Sequence, residues 1–276
     1  MPQATGEKLA CFGLTEPGAG SDVASMQTTA IKQADGSYLL NGSKSWISYA
    51  SVADHALVFA KTDPGAGPKG ISAFMLDLKN DDGVTTQDHE HKLGIWAGST
   101  GQLFFSGMRV EADRMIGAEG EGFKIAMYGL DHGRFTVAAG AVGVIKACLD
   151  NSVKYANERV TFGKRIGEHQ MVQDLIAQMV ADYEISRLLV WKAAYLKNQG
   201  VRNTRETSLA KWIATEAAFK AANNCIQIHG AMGYESETGV ERFLRNARAP
   251  MIYEGTTQIH KMLQAEHVLG YRRMNG

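Results

Sequence analysis

Two periodicities divide this chain. Up to about residue 117, short runs alternate apolar and polar positions, the two-residue period of strands with one buried face. Ser37-Tyr-Leu-Leu40, the pair Asn41-Gly42 and Ser43-Lys-Ser-Trp-Ile-Ser48 read as a hairpin, because Asn-Gly accepts the positive φ values of a type I′ turn. Segments 55–61, 70–77 and 101–106 read as further strands, and 63–69 and 79–83 as loops. After the glycine-rich stretch 117–122 the apolar spacing lengthens to the helical period. Helices are predicted over about 121–157 and 168–199, the second stopped by Gly200. A third starts at Asn203, with Glu206 three residues on, and runs to about Gln227. A short one starts at Thr238 with Glu241 as a capping box, and a last one runs to about Leu269, stopped by Gly270. The expected fold class is α+β: an antiparallel β-barrel or sandwich over 1–117, then an up-down helical bundle over 118–276.

Composition narrows the partners. Lys plus Arg and Asp plus Glu both number 29, so net charge gives no pull toward nucleic acid or an anionic membrane. Cys11, Cys148 and Cys225 sit in apolar surroundings without metal-ligand spacing and read as buried thiols in a reducing compartment. No apolar run reads as long enough to span a bilayer and the first residues do not read as a signal peptide, so a cytoplasmic location is expected.

Four stretches carry candidate chemistry. Glu254 stands between Tyr253 and Gly255, just before Thr256-Thr257-Gln258 at the start of the last helix. A carboxylate there either complements the helix dipole or, partly desolvated beside Tyr253, serves as a base. Leu14-Thr-Glu-Pro-Gly-Ala-Gly-Ser-Asp22 is a common turn sequence or a ligand loop, with Trp46 beside it to stack on a flat heterocycle. In the connection 158–170, Arg159, Lys164, Arg165 and His169 cap the preceding helix or clamp a diphosphate. Gln227-Ile-His-Gly-Ala-Met-Gly-Tyr234 ends a helix in small residues, and His229 within it reads as a structural histidine.

Taken together and in order, Leu14–Asp22, Gly42-Ser-Lys-Ser-Trp-Ile-Ser48, Glu158-Arg-x-x-Phe-Gly163 with His169-Gln170, Gln227-Ile-His-Gly230 and Arg245-x-x-Arg-x-Pro-x-x-Tyr-Glu-Gly-Thr256 resemble the middle and C-terminal domains of the FAD-dependent acyl-CoA dehydrogenases. The resemblance implies that Phe12, Leu14, Thr15, Gly20 and Ser21, with Trp46, Ile47 and Ser48, hold the flavin ring. It implies that Arg159, Phe162, His169 and Gln170, with Gln227 and Gly230, hold the diphosphate and adenosine, often of a neighbouring subunit's FAD. Gly255, Thr256 and Gln258 match flavin contacts, and Ser21, Asp131, Arg134, Tyr253 and Gly255 match substrate contacts. Glu254 matches the catalytic base; the alternative place for that acid, one residue before Arg134, holds Gly133. The implied reaction takes the α-proton of an acyl-CoA thioester onto Glu254 and the β-hydride onto flavin N5, giving a trans-2-enoyl-CoA.

The implied partners are an electron-transfer flavoprotein and further copies of the chain, as a dimer or tetramer. The family's leading helical domain is not in this sequence, so the chain is expected either to be shortened or to receive those helices from a second chain. Competing expectations are an acyl-CoA oxidase and a non-catalytic subunit of a hetero-oligomer.

Overall fold

The structure, a computed structural model, describes residues 2–271. The chain divides between Gly129 and Leu130 into two compact units, further along than the change of periodicity near 117.

The first unit opens with a short helix, α1 (Pro2–Thr5), and holds eight strands: β1 (Ala10–Gly13), β2 (Thr29–Lys32), β3 (Tyr38–Ser48), β4 (His55–Lys61), β5 (Ile71–Asp77), β6 (Val84–Asp88), β7 (Thr100–Val110) and β8 (Met115–Ile116). They form one sheet in the order β6-β7-β3-β2-β4-β5-β8, with β1 also on β4. The sheet is sandwich-like and open, with β6 and β8 at the ends of its path, so the closed-barrel alternative does not hold. Nor is it wholly antiparallel: β1 runs parallel to β4, and β2 meets β4 in parallel at Thr29 and Lys61. One edge of β4 is thus shared between two short strands. Alternate side chains from Leu40, Val58, Phe74, Leu76, Leu103 and Met108 fill the core.

The expected hairpin at Asn41-Gly42 is replaced by a continuous β3. The reversal falls earlier, at Asp35-Gly36, where Gln33 N donates to Ser37 O (2.7 Å) and Gly36 has φ 89°. Asn41-Gly42 instead marks an irregularity in the β3–β7 register. There Asn41 Oδ1 accepts from Gly107 N (2.7 Å) and Gly42 has φ 137°. A Cβ on Gly42 would lie 2.7 Å from Thr28 Cα, so a close backbone approach, not a turn, requires glycine. A second irregularity between Lys44 and Ile47 holds Trp46 at φ 61°.

α2 (Gly122–Glu158) runs through the division; its start is tied to β5 by Gly120 N, which donates to Ser72 Oγ (2.9 Å). The second unit contains the rest of α2, a two-residue-strand hairpin β9 (Val160–Thr161) and β10 (Lys164–Arg165), then α3 (Gln170–Asn198), α4 (Thr204–His229), α5 (Ala231–Tyr234), α6 (Glu241–Arg248) and α7 (Thr257–Val268). α4 is the central helix, packed on α3, α6 and α7. Ala210, Ala214, Ala217, Ala218, Ala221 and Ala222 keep its flanks narrow enough for neighbours on several sides. From α2, Ala138, Ala141, Ile145 and Cys148 join the same core. Contrary to the sequence expectation, α2 is long and apolar enough to cross a membrane on those two criteria. The buried residues just named and the Lys146–Asp150 ion pair (2.6 Å) are features of a bundle helix.

Two expected caps are replaced. Asn203 makes no side-chain cap and donates from Nδ2 to Ala193 O (2.8 Å), fastening the start of α4 to α3. Thr238 lies ahead of α6, donating to Met232 O and Glu235 O, while Glu241 pairs with Arg245.

Gly42→Ala is expected to lower the stability of the β unit by about 1–3 kcal/mol, through positive φ and backbone crowding, read as a lower urea midpoint.

Candidate active site

In the helical unit the site is built on the turn that leads into α7. Thr256 caps α7, its hydroxyl accepting from Ile259 N (3.3 Å). Just before it, Glu254 has φ 54°, a left-handed conformation uncommon for a residue with a side chain, and Gly255 follows at φ 94°. Two buried cations occupy the carbonyls of this turn. Lys211 Nζ donates to Tyr253 O (2.8 Å) and Gly255 O (2.7 Å). Arg134 Nε donates to Glu254 O (2.9 Å). Arg134 also donates to Asp131 Oδ1 (3.0 Å), and Asp131 Oδ2 accepts from Thr204 Oγ1 (2.7 Å).

The Glu254 side chain lies over Gly133. A Cβ at position 133 would come within 2.4 Å of Glu254 Oε2 and 2.6 Å of Oε1, so the carboxylate fills the space that a side chain on α2 would take. Glu254 Oε2 is buried and has no hydrogen-bond partner among the described residues. Burial raises the Glu254 pKa above its ordinary 4.5, against the opposing pull of Lys211 and Arg134. Burial also lowers Lys211 to about 8, with the Glu254 charge opposing. Beneath the turn His260 is fully buried, with Nδ1 2.9 Å from Ser208 Oγ. Burial, then the two cations, lowers His260 to about 3, so it is neutral at ordinary pH. Tyr253, half exposed, has its phenol pushed up by burial and by the Glu254 charge.

Of the expected residues, Glu254, Tyr253, Gly255, Thr256 and Gln258 lie on this turn and helix start, and Asp131 and Arg134 are joined to it by the bonds above. Arg134 is 8 % exposed and reaches the site through the Glu254 carbonyl. Arg159, Phe162, His169 and Gln170 occupy the hairpin and the start of α3; Phe162, at φ 54°, is 96 % exposed. Gln227 and Gly230 end α4, and the Tyr155–His229 ring stack (4.3 Å) brings that end beside the last turn of α2. His229 Nδ1 lies 2.8 Å from Cys225 O, within reach of a hydrogen bond, as a structural histidine would.

In the β unit, Leu14 and Ile47 are core residues and Phe12 packs on Phe59 (5.0 Å). Thr15 O accepts from Ser45 N (2.8 Å), laying the loop beside the second register break of β3. Trp46 is turned outward there, 62 % exposed and stacked on His89 (4.4 Å), and Gly20, Ser21 and Ser48 are exposed as well. A buried ion pair fixes the loop: Lys44 Nζ donates to Glu16 Oε1 (2.8 Å) and Leu14 O (3.2 Å). Glu16 also accepts from Gln27 N (2.6 Å) and Thr28 N (3.0 Å). Burial pushes the Glu16 pKa up, but the Lys44 charge and these donors outweigh it and the net shift is downward.

The sequence reading did not single out Lys211, Ser208, His260, Lys44 or Glu16. A signal existed for two of them: Lys211 interrupts an alanine-rich helix face, and Lys44 sits on the inward side of β3.

Comparison with known proteins adds the family. The model of the acyl-CoA dehydrogenase middle domain matches residues 11–108, and that of the acyl-CoA dehydrogenase C-terminal domain matches 120–269. A glutaryl-CoA dehydrogenase of Desulfococcus multivorans is 46% identical over 98% of this chain and 69% of its own length. The caffeyl-CoA reductase–Etf complex subunit CarC of Acetobacterium woodii is 43% identical over 95% of this chain and 69% of its own. Among solved structures, butyryl-CoA dehydrogenase from Megasphaera elsdenii superposes with a TM-score of 0.94 at 42% identity, over 97% of this chain and 70% of that one. A glutaryl-coenzyme A dehydrogenase in complex with glutaryl-CoA gives 0.95 at 43% identity, over 100% of this chain and 69% of that one.

Two outcomes follow from the buried charges. Lys44→Met, which strands the Glu16 carboxylate, is expected to cost about 3–5 kcal/mol in urea unfolding, and adding Glu16→Gln should recover part of it. For Glu254 the folded pKa is raised, so its contribution to stability is present below the unfolded value and lost as pH rises through the folded one. The thermal midpoint of the unaltered protein, relative to Glu254→Gln, should therefore fall as pH rises from the ordinary carboxylate value through the raised one.

Proposed function

This chain belongs to the acyl-CoA dehydrogenase family, and from that membership we propose that Glu254 is the base in FAD-dependent α,β-dehydrogenation of an acyl-CoA thioester. The observation that carries this reading is the Glu254 carboxylate itself, held over Gly133 with one buried oxygen lacking a hydrogen-bond partner among the described residues. An acid so placed is free to accept a proton, and its raised pKa makes it a stronger base than a solvated carboxylate. Glu254 takes the proton from the substrate's α-carbon, and that C–H electron pair becomes the new double bond of a trans-2-enoyl-CoA. The chemistry FAD supplies when bound is acceptance of the hydride from the β-carbon.

The residues present fit FAD. In the β unit an outward-turned tryptophan stands beside a loop with exposed Gly18, Gly20 and Ser21. In the helical unit Thr257 Oγ1, at the start of α7, is a buried hydroxyl with no hydrogen-bond partner among the described residues. Arg159, Gln170 and Gln227 are exposed polar groups suited to a diphosphate and adenosine. In this proposal Tyr253 and Gly255 flank the thioester, Ser21 contacts its CoA portion, and Asp131 and Arg134 hold the turn from behind.

The assembly and the electron acceptor belong to the same proposal. Phe162 projects from its hairpin almost wholly uncovered, and α3 exposes Leu188, Trp191 and Tyr195. Surfaces of this kind support a dimer or tetramer in which the hairpin reaches a neighbouring subunit's FAD. An electron-transfer flavoprotein is the proposed acceptor, supported by the relative that is itself a subunit of an Etf complex. A cytoplasmic enzyme of fatty-acid β-oxidation fits the three free, buried thiols.

Glu254→Gln should retain the yellow flavin spectrum while acyl-CoA-dependent bleaching slows by at least about a thousandfold; undiminished bleaching would remove Glu254 from the chemistry. Gly133→Ala should slow bleaching by about a hundredfold, because its Cβ displaces the carboxylate, with little loss of thermal stability because the displaced group ends a flexible side chain.

A further inference from the structure

Lys211 enters the bundle from the middle of α4, one turn after Ser208. It is fully buried, and its ammonium group spends two of its donors on Tyr253 O and Gly255 O, the residues on either side of the base. A left-handed residue with a side chain persists only when its surroundings over-determine it. Here the determinants are Lys211 on both flanks and Arg134 on the central carbonyl. The two cations differ in what balances them. Arg134 is paired with Asp131 at 3.0 Å, whereas among the described residues Lys211 has no carboxylate within ion-pair distance. The facing groups on neighbouring elements are Arg134 on α2, Tyr253 and Glu254 on the turn, and the neutral His260 on α7. Glu254 is the acid among them, so each is the other's counter-charge through space.

We infer that Lys211 is the positioning residue of the base: it clamps the Tyr253–Gly255 turn so that the Glu254 carboxylate lies over Gly133, and its positive charge keeps that carboxylate ionised. The inference rests on Glu254 being the proton acceptor. Arginine at this position would keep the charge but not the compact two-carbonyl grip, and methionine would keep the packing and lose both.

The test follows the Glu254 carboxyl by 13C NMR in the FAD-loaded protein, with the resonance identified by its loss in Glu254→Gln. Lys211→Met should raise the titration midpoint by about 1 pH unit or more, while Lys211→Arg leaves it near the original. The unaltered protein should show a second, smaller inflection near pH 8 as Lys211 loses its charge. With an acyl-CoA thioester, Lys211→Met should lower kcat by about tenfold or more with KM little changed, and Lys211→Arg should restore part of it. A folded Lys211→Met protein with an unmoved midpoint overturns the inference. If that variant does not fold, Lys211→Gln takes its place, and an unmoved midpoint in that protein overturns the inference instead. Undiminished turnover in Glu254→Gln would sink the base assignment separately, since the carboxyl titration is read without turnover.

Discussion

Three consecutive carbonyl groups, those of Tyr253, Glu254 and Gly255, end on two cations taken out of water. Everything specific to the site depends on that arrangement. A buried ammonium or guanidinium group is costly unless its donors are satisfied, and here the backbone of one turn satisfies them. In return the turn is held in a conformation that an isolated peptide would seldom adopt, and one oxygen of a carboxylate is buried. The opposing effects on Glu254 are then readable: desolvation strengthens it as a base, and the nearby charges limit that gain so that it still ionises.

The β unit uses the same device for a different end. Lys44 and Glu16 are buried together, and the carboxylate is finished by two backbone donors, Gln27 and Thr28, just ahead of β2. That pair fixes a loop rich in small residues, which would otherwise lose much entropy on ordering. Both units therefore fix a segment of irregular backbone from inside, by a buried lysine of a regular element.

Much of the organisation was legible in the sequence. The switch of apolar period separates strands from helices, and α2, α3, α4 and α7 begin and end within a few residues of where caps and glycines place them. The misplaced hairpin has a physical reason. Asn-Gly and Asp-Gly are equally good turn formers, and the choice was made by a contact distant in sequence, Thr28 against Gly42. Openness of the sheet and the parallel pairing of β1 with β4 are likewise matters of long-range pairing, which alternation alone does not encode. Glu254 could be found from its neighbours in the chain. Lys211, forty-odd positions earlier, could be found only as an oddity, a charge in an alanine-rich face whose hydrogen-bond partners lie on the turn before α7.

Gly133 and Glu254 compete for one volume. Because the acid fills the hollow left by a missing side chain on α2, any side chain added at 133 meets the carboxylate first. Moving the acid to residue 133 requires emptying residue 254 at the same time, and either step alone leaves two carboxylates in collision or none. Crowding at 133 is therefore felt at the end of a flexible side chain and leaves the helix backbone in place.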